Sequence, residues 1–319
     1  MFLGAGAILH QTHEQSLENM GGLIHCMPKL AAIFLIGCLS ISGLPPFNGF
    51  VSEWLIFQTA LQTGALESGV IRSLIPTASA VLALTSALAA ACFVKVYGAF
   101  LGLPRSRHVA TGHEPAHLGM LAGPAWLAGL CVLLGVFPTP IIEGLNVVTG
   151  QLVGDTLPGA AALGWLRLTP VAPEVASYSA PLVLLGIFLT GWVCYQLLYR
   201  RAGLEVRRAE PWDCGFGGLN ARMQYTSTAF SMPFRRIFEP VFDAQETIEE
   251  QKEGPSGFQT TRLQYQLRVS DRAWPYLYAP VARAVTWLSR RVGRLQTGNI
   301  RTYIAYSFFT LLILLWGIS

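Results

Sequence analysis

Residues 42–50 read SGLPPFNGF, and they fall inside a run, residues 30–66, whose single charge is Glu53. As one straight helix that run would measure about 55 Å at ~1.5 Å per residue, nearly twice the ~30 Å hydrocarbon core of a bilayer. The run is therefore read as broken. Pro45 and Pro46 remove two backbone donors, and Gly43 and Gly49 loosen the backbone beside them. Freed backbone groups at membrane depth are tolerated only inside protein or beside a wet cavity. The fold class that follows is an all-α polytopic membrane protein with one Pro-broken helix.

The rest of the chain agrees with that reading. Hydrophobic residues make up 52% of it and charged residues 13%, against the roughly 25% charge of soluble domains. Residues 30–52, 73–94, 115–142, 175–199 and 302–319 carry no charge at all, in runs of 23, 22, 28, 25 and 18 residues. A spanning helix needs about 20 apolar residues. These numbers exclude a soluble enzyme, a nucleic-acid reader and a disulfide-stapled secreted domain. About six transmembrane segments are expected: 2–12, the broken 30–66, 75–101, 119–142, 178–199 and 302–318. The first, FLGAGAILHQT, is too short for a full span and predicts that Met1 is internal to a longer chain. The six cysteines form no CxxC pair, and read as small hydrophobes in a reduced protein.

The links between spans sort by charge. Residues 14–29 are polar, with Gly21-Gly22 expected as a helix stop and Pro28 opening the next element. Residues 102–118 hold Arg105, Arg107 and three histidines. Residues 143–174 read as a Gly/Pro-rich connection, and 16 of the 22 Lys and Arg lie between Arg200 and Arg301. Alternating sides puts 14–29, 102–118 and 200–301 together, and the positive-inside rule makes that side cytoplasmic. Three regions result: residues 1–199 with the antiporter-like transmembrane helices, the 200–301 cytoplasmic or interfacial segment, and the 302–319 C-terminal span. Within 200–301, residues 232–250 read as an interfacial helix and 259–269 as a short strand. Residues 281–297 read as a helix with an apolar stripe opposite its arginines.

Glu53 is the sharpest chemical feature. A carboxylate in such a segment is costly, and it tends to mark an ion or proton path; a static ion pair or an offset helix would also place one there. Lys95, alone between Arg72 and Arg105, reads either as snorkelling to the headgroups or as a relay partner. His10 and His13 close the first apolar run beside Glu14 and titrate in the range of proton traffic, although a capping role fits them too. His108, His113 and His117 lie in an exposed cationic loop and read as no metal site. The stretch EPWDCGFGG (210–218) has no P-loop or dinucleotide pattern. No nucleophile–base set, metal site or cofactor ligand set is found, so no cofactor is expected.

The stretch FLGAGAILHQTHEQSLENMGGLIHCMPKLAAIFLIGCLSISGLPPFNGFVSEWLIF (2–57), with its MGGL and SGLPPFNGFVSEW motifs, resembles the antiporter-like membrane subunits. That family includes subunits of respiratory complex I, Mrp-type cation/proton antiporters and hydrogenase-4 or formate hydrogenlyase complexes. The stretches AEPWDCGFGGLNARMQYTSTAFSMPFRRIFEPVF (209–242) and LSRRVGRLQTGNIRTYIAYSFFTLLILL (288–315) resemble the hydrogenase-4 branch. The resemblance implies inverted five-helix repeats and broken helices at a channel. It matches Glu53 to the family's ionisable position after the break, and His10 and His13 to histidines ending the preceding helix, with Lys95 following in the next span. The family's first repeat has no counterpart here.

The expected function is the C-terminal portion of a proton-translocating membrane subunit of a hydrogenase-4/formate hydrogenlyase or NADH-quinone oxidoreductase-like complex. Its expected partners are other membrane subunits, a peripheral hydrogenase or electron-transfer arm and the lipid bilayer. An Mrp-type antiporter subunit and an inactive structural membrane fragment are the alternatives.

Overall fold

The computed structural model describes residues 1–112, 118–154, 164, 166–169, 178–200, 209, 212–215, 217–239, 242–252, 260–272, 274–294, 296 and 298–318. They divide into two compact units, Met1–Ser231 and Met232–Ser319.

The first unit opens with α1 (Phe2–Thr12), which ends where His13 takes a left-handed conformation, φ 52°. A short α2 (Leu23–Cys26) precedes α3 (Pro28–Ile41), which starts with proline at its first position, where a missing N–H costs nothing. The helix stops at the break, and α4 (Asn48–Leu61) resumes beyond it. Then follow α5 (Gly69–Tyr97), α6 (Arg107–Ala110), α7 (Leu118–Val136), α8 (Pro138–Val153), α9 (Ala180–Tyr195) and α10 (Ser227–Ile237), the last crossing into the second unit. The broken run is thus seen as two half-helices flanking residues 42–47, with Pro45 and Pro46 joined by a cis peptide bond.

Among the described residues four helical stretches are long and apolar enough to cross a membrane: Gly69–Phe100, Gly119–Val136, Ala180–Arg200 and Ile300–Gly317. The shorter α3 and α4 divide one span's worth of chain between them. The most apolar windows of Gly69–Phe100 and Ala180–Arg200 contain no buried residue. Apolar helices with no protein cover need lipid or a neighbouring chain.

Helix α3 packs against α5 and α7, and α4 against the same two. Leu23, Met27, Leu30, Ala31 and Phe34 form a buried core with Ala7, Ile8, Phe100 and Val109. The Phe34 and Phe100 rings are 5.0 Å apart. The polar links close over this core. Gly22 N donates to Leu101 O at 2.8 Å, Arg105 pairs with Glu18 at 3.0 Å, and Gln224 bonds both the N–H and the carbonyl of Leu103 at 2.8 Å. Residues 14–29, 101–105 and 224–228 therefore meet, as the alternation of spans requires.

Three local expectations need correction. Gly21-Gly22 does not stop α1, which ends at Thr12. The two glycines instead admit residues 101–104: a Cβ on Gly21 would lie 2.2 Å from Leu103 O. Pro138 and Pro140 do not end a span. They open α8, which Gly154 closes in a left-handed conformation, so residues 143–153 are helix rather than connection. Residues 242–250 are not helical either.

In the second unit β1 (Phe242–Lys252) pairs antiparallel with β2 (Thr260–Asp271). Ala244 faces Val269, and Ile248 faces Tyr265. These cross-strand pairs favour extended chain where the isolated sequence read as an interfacial helix. Arg235 pairs with Glu246 at 3.3 Å, and Arg272 with Asp243 at 3.4 Å. The expected strand at 259–269 and helix at 281–297 are present as β2 and α11 (Ala279–Gly293), before the final α12 (Ile300–Ile318).

Candidate functional site

The break is built from glycines and small polar groups. Gly43 has φ +63°, a conformation that costs other residues ~1–2 kcal/mol. Its bare Cα faces a carboxylate: a Cβ there would lie 2.7 Å from Glu53 Oε2. Gly49 passes so close to α3 that a Cβ would overlap Ser40 O, and one on Gly135 would lie 2.2 Å from Pro46 O. The Ser40 hydroxyl donates to Asn48 Oδ1, tying the end of α3 to the start of α4. The unwound turn uses its own carbonyls: Cys38 O accepts from Ser42 N, Leu39 O from Leu44 N and Ser40 O from Gly43 N.

Beside the break lies a cavity of about 430 Å³. α1 contributes Met1 and Gly4, α3 contributes Gly37 and Ser40, α4 contributes Asn48, Ser52 and Glu53, and α7 contributes Leu127 and Cys131. Its wall is mostly apolar, with a few polar atoms gathered at the break. Such a volume holds several waters at ~30 Å³ each. Glu53 is half-buried, and among the described residues no ion pair involves it. Beyond the break, Val51 is covered by Leu168, and Tyr178 stacks near Phe50 and Trp54 at 5.1 and 5.6 Å. Segments flanking residues 170–177 thus shield the first turn of α4.

The other expected site residues do not line this cavity. Lys95 is half-buried in the last turn of α5, next to the link that begins at Gly98. His10 and His13 are exposed at the end of α1. His113 and His117 lie outside the described residues. Among the described residues no group of three or more His, Cys, Asp or Glu could hold a metal ion. Ser40, Asn48 and Gly135 were not singled out from the sequence. The first two flank the Pro-Pro pair, which was the available signal; the third needed the contact with α7.

Two carboxylates shape the link end. Hydrogen bonds from the amides of Ser16 and Gln15, with the nearby His108 charge, hold Glu14 below its ordinary 4.5. Burial alone would raise Glu18. Hydrogen bonds from Thr226, from Thr228 and from Arg105 outweigh that burial and bring it below 4.5.

The fold and the broken-helix cavity define a class, the multi-pass membrane subunits of antiporter-like type. Residues 1–77 match the family described as "NADH:quinone oxidoreductase/Mrp antiporter, TM". Hydrogenase-4 component B of Escherichia coli (strain K12) is 32% identical over 324 residues, covering 100% of this chain and 47% of that protein. Formate hydrogenlyase subunit 3 of the same strain is 31% identical over 242 residues, covering 76% of this chain and 37% of that protein. In fold, the chain is similar to one in the membrane-bound sulfane sulfur reductase (MBS), an archaeal respiratory membrane complex. The TM-score is 0.59 at 23% identity, over 98% of this chain and 44% of that one. The chain is thus an integral, multi-pass relative of the antiporter-like membrane subunits, and it spans about half the length of the curated relatives it matches.

Proposed function

We propose that this chain is part of a proton-translocating membrane subunit in a redox-driven complex of the hydrogenase-4 or formate hydrogenlyase kind. In that complex it works beside other membrane subunits and a peripheral electron-transfer arm. The observation that carries the reading is the carboxyl of Glu53, held against the bare backbone of Gly43 at a helix break that opens on a 430 Å³ cavity. An ionisable group there can be reached by water and can take up or release a proton. Protonation would remove its charge from a low-dielectric site and so couple it to charges moving nearby. Ser40, Asn48 and Ser52 supply hydroxyl and amide groups along the same wall for ordered water. Residues 200–301 lie on the cytoplasmic side in this reading, which follows from their cationic excess. Lys95, His10 and His13 serve proton entry at the link end rather than the cavity itself.

The test is ion uptake by inverted membrane vesicles containing the assembled complex, energised by its electron donor. Internal acidification that a protonophore abolishes, and that does not require sodium, is expected. Uptake that depends on sodium and needs no redox donor would assign the chain to a cation/proton antiporter instead.

A further inference from the structure

The second unit contains a surface that the proton reading does not use. On α11, Val281, Val285, Leu288 and Val292 form one stripe, and they remain 61%, 60%, 56% and 55% exposed. At helical spacing Arg283, Arg290 and Arg294 share the opposite face. Arg291 flanks them, its guanidinium stacked over the Trp287 ring at 4.9 Å. These four arginines and Trp287 line a groove of about 540 Å³ closed at one end by Trp274. None of the four is in an ion pair among the described residues. No Asp or Glu occurs anywhere from Ala273 to Ser319.

What covers this helix follows from its tether. Six residues, 294–299, separate α11 from the membrane span α12. Fully extended they reach about 20 Å, so the end of α11 cannot leave the surface of the bilayer. An amphipathic helix held there turns its apolar stripe to the acyl boundary and its cations to the headgroups. We infer that α11 is an anionic-phospholipid site: its stripe enters the interface, and Arg283, Arg290, Arg291 and Arg294 bind headgroup phosphates. A guanidinium forks onto phosphate oxygens in bidentate fashion, and the long arginine stems can reach headgroups from the polar face. Four uncompensated cations favour a headgroup with net negative charge over a zwitterionic one. Trp287 and Trp274 sit beside these arginines, as aromatic residues do at membrane interfaces.

The test is hydrogen exchange over peptides spanning 279–294, in the full chain reconstituted into lipid nanodiscs. One set of discs is phosphatidylcholine alone; in the other a third of the lipid is phosphatidylglycerol. Exchange should slow on the order of tenfold in the phosphatidylglycerol discs. Joint replacement Arg283→Gln, Arg290→Gln, Arg294→Gln should remove the difference, and Lys at the same positions should largely retain it. Inorganic phosphate added to phosphatidylcholine discs should not reproduce the protection. Equal exchange in both wild-type discs would overturn the inference, as would equal protection by free phosphate. Protection that appears only when other subunits are added would also overturn it and assign the surface to an acidic protein partner. The wild-type comparison between discs stands even if a variant fails to insert.

Discussion

Glu53 and Gly43 are one unit of chemistry. The left-handed turn at Gly43 leaves its Cα bare where Glu53 Oε2 comes to rest, so the carboxyl is placed by a missing side chain rather than by a cation. Gly43→Ala should therefore act twice. It should strain the turn by about 1–2 kcal/mol, and it should push the carboxylate out of its seat. The expected result is a lower melting temperature of the purified protein together with weakened proton uptake. Gly144 serves as the control, since it lies inside α8 and a Cβ there would meet nothing within 4 Å. Gly144→Ala should be neutral or stabilise by up to about 1 kcal/mol. Equal losses from the two substitutions would show that Gly43 is ordinary helix-end backbone.

At the scale of elements, the links are held by a carboxylate network that senses acid. Glu18 accepts from Arg105 and from Thr228 N at 3.0 Å each. Its pKa in the folded protein lies below the ordinary 4.5. A depressed carboxylate contributes stability that is fully present above 4.5 and is lost as pH falls through the lowered value. The contact between residues 14–29 and 224–228 should thus hold at neutral pH and loosen in acid below that range. Proteolysis of the 217–226 segment with an acid-active protease should accelerate there, and Glu18→Gln should loosen it at neutral pH; unchanged cleavage in both cases would remove Glu18 from the clamp. This level was partly legible in sequence. The Pro-Pro break, the charge-sorted links, β2 and α11 all follow from period and composition. The strand β1 did not, because Phe, Ile and charge mixed in one segment suit an interfacial helix until β2 supplies a partner. Nor did α8, since Pro138 and Pro140 read as a stop when they are in fact a start. At the site, Glu53 and the break were legible because a charge and two prolines are conspicuous in apolar chain. The Ser40–Asn48 tie and the approach of Gly135 to Pro46 depend on helix crossings that no local pattern encodes.

For the whole molecule, the relatives and the fold place the chain in a bilayer, and the cavity beside the break gives it a protonatable site there. Proton transfer across a membrane needs a series of such sites linked by water, and the 430 Å³ cavity supplies one of them. If Glu53 is that site, its charge matters and its shape alone does not suffice. Glu53→Gln keeps the size and hydrogen bonding of the side chain but cannot titrate, while Glu53→Asp keeps the titration with a shorter reach. The deciding measurement is redox-driven proton uptake into membrane vesicles, normalised to the amount of assembled complex, for wild type, Glu53→Gln and Glu53→Asp. Uptake should fall severalfold or more in the Gln variant and less in the Asp variant, with assembly unchanged in both. Wild-type uptake per assembled complex in the Gln variant, or lost assembly with normal uptake in what remains, would take Glu53 out of the proton path and make it a structural carboxylate.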